Sequence, residues 1–140
     1  AYAYWCNSEP QIFYVNQSLI KKAEHAFEQA IELGKKVSLI QEASECYHAA
    51  NSLLNIAKSL RKIGAYQEAQ QLAEKVKQYA DRAAQLDQVN YYILIPLAAY
   101  VKFNQGSDVE IEEIYQQSLV RAKDNQTLQA AVHRSFAFIF

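Results

Sequence analysis

The residue pair best suited to metal chemistry is Glu45-x-x-His48, which places a carboxylate and an imidazole one helical turn apart. Di-iron four-helix bundles use this spacing, but they need a second such pair and two further carboxylates that face inward. The sequence has no other Glu-x-x-His. We therefore predict that Glu45 and His48 belong to a polar helix face and that the chain binds no metal. His25 and His133 are interpreted as ordinary surface or interface histidines.

Nucleophiles and phosphate-binding loops are the other chemical features to consider. No serine or cysteine lies in a G-x-S-x-G motif, and three glycines cannot build a phosphate loop. Cys46 falls on an apolar stripe, where burial disfavours the thiolate. We predict no catalytic residue, no cofactor and no enzymatic activity. Cys6 and Cys46 can pair in an exported protein or remain separate thiols in the cytosol, and we favour separate thiols.

Composition and charge exclude several classes of partner. Of the 140 residues, 51% are hydrophobic and 21% are charged, with a net charge of −1. That charge gives no electrostatic basis for binding nucleic acid or an anionic membrane. No apolar run approaches the ~20 residues that a membrane span needs. Met is absent, even at position 1, which indicates a processed exported protein or an excised cytoplasmic domain, so the localisation stays open.

The same composition favours helices. Only three Gly and two Pro are present, so we predict an all-α fold rather than a β-sandwich. The predicted helices lie at about 17–34, 39–63, 65–85, 89–104, 108–123 and 125–138. We divide the chain into an aromatic N-terminal cap segment, residues 1–15, and a single helical-repeat domain, residues 16–140.

Capping residues mark several helix ends. Gly34 and Gly64 are expected to stop the first and second helices. Ser107 with Glu110 forms a capping box that starts the fifth helix.

Pro96 interrupts the fourth helical pattern. Proline removes a backbone donor and clashes with the preceding turn. The helix is therefore either kinked or begins near Pro96. A short strand at 91–95 is the minor alternative, because a lone strand has no partner.

Apolar spacing predicts which helix faces are buried. The first helix presents Leu19, Ala23, Ala26, Phe27, Ala30 and Ile31. The second helix has a main stripe of Leu39, Ala43, Cys46, Ala50, Leu53, Ala57 and Leu60, and a parallel stripe of Ile40, Tyr47 and Leu54. Two stripes are typical of an inner helix with neighbours on both sides.

Residues 53–76 predict an antiparallel helical hairpin, because two amphipathic runs flank Gly64. The second helix of this hairpin also has a spacing that recurs in the chain. The recurring triplets are Ala23–Phe27–Ala30, Ala69–Ala73–Val76 and Ile111–Tyr115–Ser118. Regular recurrence of this kind indicates a helical repeat.

The hairpin resembles the tetratricopeptide repeat (TPR) family. The positions that carry this resemblance are Leu53, Ile56, Ala57 and Leu60 before Gly64, then Tyr66 and Ala69. The resemblance implies an α-solenoid of antiparallel helix pairs, a TPR-like superhelix of about six helices, with a concave groove lined by the first helix of each unit.

The chain departs from the family pattern in its period. The equivalent positions Ala23, Ala69 and Ile111 are separated by 46 and 42 residues, against about 34 in TPR units. No proline closes the units, and Lys102 occupies a position that is usually large and apolar. HEAT-like or other α-solenoid packing therefore remains an alternative.

By analogy with that groove, we predict a scaffold module that binds a peptide or partner protein. The candidate partner-binding residues are Asn51, Asn55, Lys58, Lys62 and Tyr92. Asn and Lys side chains there can hold a peptide backbone or an acidic terminus. One alternative is a small-ligand or sensory domain, with a pocket walled by the N-terminal aromatics and the region 91–100. Another is a structural subunit or oligomer whose C-terminal segment, Phe136–Phe140, packs on a partner chain.

Overall fold

The computed structural model describes the backbone of residues 2–140 and the side chains of residues 17–140. It contains six α-helices and a short 3₁₀ segment, Tyr91–Leu94, and the described backbone has no strand. The helices are α1 (Tyr2–Val37), α2 (Leu39–Lys62), α3 (Tyr66–Leu86), α4 (Ile95–Phe103), α5 (Asp108–Ala122) and α6 (Gln126–Ile139). The predicted all-α fold of six helices is confirmed.

Helix α1 is longer than the predicted 17–34, and Gly34 does not end it. A Cβ added at Gly34 would lie 3.2 Å from both the carbonyl oxygen of Gln41 and Cγ of Glu45. This glycine therefore permits close approach of α1 to α2, rather than capping α1. The chain reverses at Ser38, whose hydroxyl accepts a hydrogen bond from Gln41 N at 3.0 Å and caps α2. The prediction that residues 1–15 form an aromatic cap concerns side chains outside the described ones.

Gly64 ends α2 as predicted. It takes a φ of 87°, and the next residue, Ala65, donates its N–H to Leu60 O at 2.9 Å. Gly64 N donates to Arg61 O at 3.1 Å. These two bonds form a Schellman motif, which satisfies carbonyls in the last turn of α2. Helix α3 then returns antiparallel to α2.

Pro96 lies in the first turn of α4, which begins at Ile95, so the alternative of a helix that starts near Pro96 is confirmed. Proline is tolerated there because the first N–H groups of a helix have no intrahelical acceptor. Residues 91–94 form the 3₁₀ segment instead of a strand.

A second Schellman motif ends α4, with Gln105 in the left-handed region at a φ of 56°. Gly106 N donates to Val101 O at 2.8 Å, and Gln105 N donates to Lys102 O at 3.1 Å. Ser107 then caps α5 by accepting a bond from Glu110 N at 3.2 Å, which confirms the predicted start.

The core is built around α2. The buried part of its main stripe packs chiefly against α3, and the flanks of α2 contact α1 and α4. Ala43, Ala50, Leu53 and Ala57 are fully buried, as predicted. The stripes fail only at their start: Leu39 and Ile40 are exposed at the α1–α2 turn.

The predicted apolar face of α1 is only half correct. Ile31 is buried and Phe27 packs against the core, but Leu19 and Ala26 are exposed. The described part of α1 packs its backbone closely against α2 alone, so only one edge of its apolar surface is covered.

Candidate interaction surface on helices α1 and α2

The open face of α2 carries four of the five predicted partner-binding residues. Asn55, Lys58 and Lys62 are exposed, and Asn51 is half-buried. Because they are spaced by three or four residues, they lie on one side of the helix. The prediction that they share a surface is thus compatible with the structure, and whether they bind a partner stays a prediction.

Two packed stripes bound this open face. On one side, Ile56 and Ile63 lie near Leu19 and Ala23 in the middle of α1. On the other side, Tyr47, Leu54 and Arg61 recur every seven residues towards the 3₁₀ segment and α4. The open face therefore forms a strip between α1 and α4.

Tyr92 lies at the end of the strip nearest the α1–α2 turn. Its ring makes an edge contact with Tyr47, with ring centroids 5.1 Å apart. Tyr47 precedes Asn51 by one helical turn, which links Tyr92 to the Asn and Lys residues. Burial raises the pKa of the Tyr92 phenol, so the hydroxyl is neutral at pH 7 and can donate or accept a hydrogen bond.

An apolar groove of about 500 Å³ runs between α1 and α2 beside this strip. Leu19, Ile20 and Ala23 contribute one wall. The other wall is formed by Asn55, Ile56, Ser59, Leu60 and Ile63. Asn55 is thus the predicted residue that connects the polar strip with the groove. Sequence reasoning missed the groove because Leu19 and Ala23 were assigned to a buried face.

The charge around the groove is positive. Lys58 and Lys62 follow Asn55 on α2, and Lys22 lies one turn after Leu19 on α1. These three lysines are exposed and take part in none of the ion pairs of residues 17–140.

One carboxylate beside the groove is already paired with another helix. Glu24 pairs with Lys75 of α3 at 2.6 Å, whereas Glu28 and Glu68 take part in none of the ion pairs of residues 17–140. The Lys75 pKa is raised by its bond to Glu24. Lys22, Lys58 and Lys62 face solvent without an ion-pair partner among residues 17–140.

Glu45 and His48 do not form a ligand constellation in the structure. Glu45 bonds Gln41, whereas the exposed His48 ring lies edge-on to Tyr47 at 5.3 Å. No group of three or more His, Cys, Asp or Glu side chains suited to a metal occurs among residues 17–140.

Cys46 is a free and buried thiol in the α1–α2–α3 interface, where it packs with Ile31, Ala49 and Ala83. Burial raises its pKa to about 11, with the Glu42 carboxylate acting in the same direction. A neutral thiol is the expected form at pH 7, which makes Cys46 a packing residue. The side chain of Cys6 lies outside the described ones.

The C-terminal segment is only partly available to another chain. Phe136 is fully buried in its own chain, where it stacks on Tyr115 with centroids 4.9 Å apart. The expectation that Phe136 packs on a partner chain is therefore wrong, because α5 and α4 already cover it. Phe138 is 89% exposed and Phe140 is 49% exposed.

The small-ligand alternative stays a prediction. Its pocket needs the N-terminal aromatic side chains, which lie outside the described ones. The other predicted wall of this pocket is the region 91–100. In that region, Tyr92 packs against Tyr47, and Tyr100 is buried in the core.

Comparisons with known proteins add no family to this description. No model of a protein family, no curated protein and no solved structure matches the chain. Within the described residues, none of the helices combines the length and the apolar character needed to cross a membrane.

Proposed function

We propose that the chain is a TPR-like scaffold module that binds a peptide or a partner protein on the strip formed by Asn51, Asn55, Lys58, Lys62 and Tyr92. The observation that carries this proposal is the open, cationic face of α2 between α1 and α4. A buried inner helix that keeps one polar face free is typical of a helix lining a binding groove.

The pattern of contacts supports the repeat part of the proposal. Helix α2 contacts α4, and α4 contacts α6, while the intervening helices α3 and α5 each pack against both of their sequence neighbours. Stacked helix pairs have this arrangement, in which the first helices of successive units line one side. The exposed Tyr66, at the position matched to the TPR turn tyrosine, departs from tight family-like packing.

The polar composition of the strip indicates the kind of partner. Asn51 and Asn55 can donate to and accept from a peptide backbone, and Lys58 and Lys62 attract carboxylates. Exposed ion pairs are individually weak, so these lysines would set the association rate and the choice of partner more than the affinity.

Affinity capture with a matched pair of charge reversals tests the proposal. The double variant Lys58→Glu/Lys62→Glu is compared with the wild-type chain and with Arg134→Glu, which reverses an exposed charge on α6. We expect proteins captured by the wild-type chain and by Arg134→Glu to be lost with the double variant. Identical capture by all three chains would overturn the assignment of this strip.

A further inference from the structure

A row of apolar residues along α1, here called the seam, continues the groove and indicates what could bind in it. The apolar residues along its uncovered side recur at steps of four, three, four, three and four: Leu19, Ala23, Ala26, Ala30, Leu33 and Val37. Leu19 is 56% exposed, Leu33 62% and Val37 73%, and Ala26 is also exposed. Helices that supercoil on one another present apolar seams with this alternation of steps. The seam extends over five turns, about 27 Å at 1.5 Å per residue.

We propose that an amphipathic α-helix of a partner protein, with acidic residues flanking its apolar face, docks along α1 in the groove between α1 and α2. This proposal rests on the proposed function, because it names the chemistry of one partner for the groove that adjoins the strip at Asn55. The apolar walls of the groove and the seam of α1 are continuous at Leu19 and Ala23.

The secondary structure of the occupant follows from hydrogen bonding. The walls are side chains of two helices, whose backbone N–H and C=O groups are already bonded within each helix. An extended peptide in the apolar groove would therefore bury backbone groups without acceptors or donors. A helix satisfies its own backbone and offers apolar residues at the same steps as the seam.

The size of the seam residues fits a helix as well. Ala23, Ala26 and Ala30 occupy the middle of the seam, and small side chains allow two helices to approach closely. The larger Leu19 and Leu33 lie towards its ends, where they can contact apolar side chains of the occupant.

Charge complementarity selects an acidic occupant over a second copy of this chain. Lys22 and Lys36 flank the seam on α1, and Lys58 and Lys62 lie along the α2 side of the groove. A second α1 packed on the same seam would bring lysines of both copies together, and like charges across an interface disfavour association. Glu residues flanking the occupant's apolar face would instead pair with these lysines.

Binding of synthetic helices by fluorescence anisotropy tests the proposal. The probe is a helical peptide of five turns with Leu at alternating steps of four and three and Glu at the flanking positions. The matched probe has the same Leu positions with Lys at the flanks. We expect the Glu-flanked peptide to bind at least about tenfold more tightly, with the difference shrinking as salt is added.

Two variants of the chain locate the binding. Ala23→Glu places a charge and extra volume in the seam, whereas Ala130→Glu makes the same substitution at an exposed position of α6. Loss of peptide binding in Ala23→Glu and retention in Ala130→Glu, both with unchanged circular dichroism, would support the docking site. Absence of binding to the wild-type chain, or equal binding by both variants, would overturn it.

The same variants separate this proposal from the alternatives. Sedimentation of the wild-type chain as a dimer that Ala23→Glu dissociates would overturn it in favour of a second copy. If capture still depends on Lys58 and Lys62 but the Glu-flanked peptide does not bind, the helical occupant is wrong while the proposed function survives. If the peptide binds in the groove but capture is insensitive to those lysines, the strip assignment fails instead.

Discussion

Arg61 of α2 lies over the ring of Phe103 at the end of α4, with its guanidinium carbon 3.4 Å from the ring centroid. Its Nη1 also donates a hydrogen bond to the Phe103 carbonyl at 2.7 Å. That carbonyl belongs to the last turn of α4, where no intrahelical donor follows. One side chain therefore joins the C-terminal ends of α2 and α4, which flank the proposed binding strip.

Replacing Arg61 tests this connection. We expect Arg61→Ala to lower the free energy of unfolding by about 1–2 kcal/mol, because the cation–π contact and the bond to the carbonyl are both lost. Arg61→Lys should recover only part of the lost free energy of unfolding. An ammonium lacks the planar group that stacks on the ring and donates a hydrogen bond at the same time. Urea unfolding of the three chains provides the measurement. Wild-type stability of Arg61→Ala would show that the contact contributes nothing.

We expect substitutions at the two Schellman motifs to change the stability of the fold in opposite directions. Gly64 has a φ of 87°, and a Cβ at this position would meet no atom within 4 Å, so Gly64→Ala should cost about 1 kcal/mol through backbone strain alone. Gln105 occupies the equivalent position at a φ of 56°, and Gln105→Gly should stabilise the chain by about 0.5 kcal/mol. Thermal unfolding compares both variants with the wild type. Changes of the same sign would contradict the equivalence of the two motifs.

Asp87 is predicted to hold the connection between α3 and the 3₁₀ segment. Its carboxylate is 1% exposed and accepts bonds from Val89 N, Asn90 N and Asn90 Nδ2. Asp87→Ala should therefore cost about 2 kcal/mol, because two backbone N–H groups lose their acceptor. Asp87→Asn keeps one acceptor oxygen and serves as the milder control. Denaturant unfolding at pH 7 measures both.

The contribution of Asp87 to folding stability should depend on pH. Burial opposes ionisation of Asp87, but the bonds from Asn90 and Val89 and the charge of Arg121 outweigh it and lower its pKa. The ionised form then stabilises the fold above the unfolded pKa of about 3.9, and this contribution is lost as the pH falls through the lower folded value. The stability difference between the wild type and Asp87→Asn should narrow below about pH 4. A constant difference would contradict the lowered pKa.

The buried thiol of Cys46 should react slowly with a thiol reagent. With a pKa of about 11, the buried thiol should react far more slowly at pH 8 than a free cysteine, and its rate should still rise with pH above about 9. The Cys6→Ser variant isolates Cys46, and the unfolded chain in denaturant provides the reference rate. A plateau near pH 9 would show that the folded thiol ionises normally.

Features with local causes could be predicted from the sequence. The starts and ends of α2 and α5 follow from Ser107, Gly64 and nearby apolar periodicity, and they lie within one residue of the predicted bounds. The buried stripe of α2 was also predictable, since its residues repeat over many turns. The face that carries Asn55 and Lys58 was predictable for the same reason, because it is the part of the α2 surface that the buried stripe leaves exposed.

Features that depend on distant contacts could not be predicted in this way. Arg61 and Phe103 are separated by 42 residues, and nothing near Arg61 specifies its partner. Gly34 has the sequence context of a helix stop, yet its role depends on how closely α2 approaches. The apolar residues of α1 gave the correct helix, but periodicity alone does not reveal that Leu19 and Ala26 are left exposed.

The described part of α1 has close backbone contacts with α2 only, and this has a dynamic consequence. Local opening costs least for an element with few buried neighbours, so amide hydrogens of α1 should exchange before those of the α2–α3 hairpin. Ile31 shares a buried cluster with Cys46, so we expect detachment of α1 to expose that thiol without unfolding the rest of the chain. The cysteine thus reports on the release of α1, and a helix bound along α1 would slow its labelling by raising the free energy of that local opening.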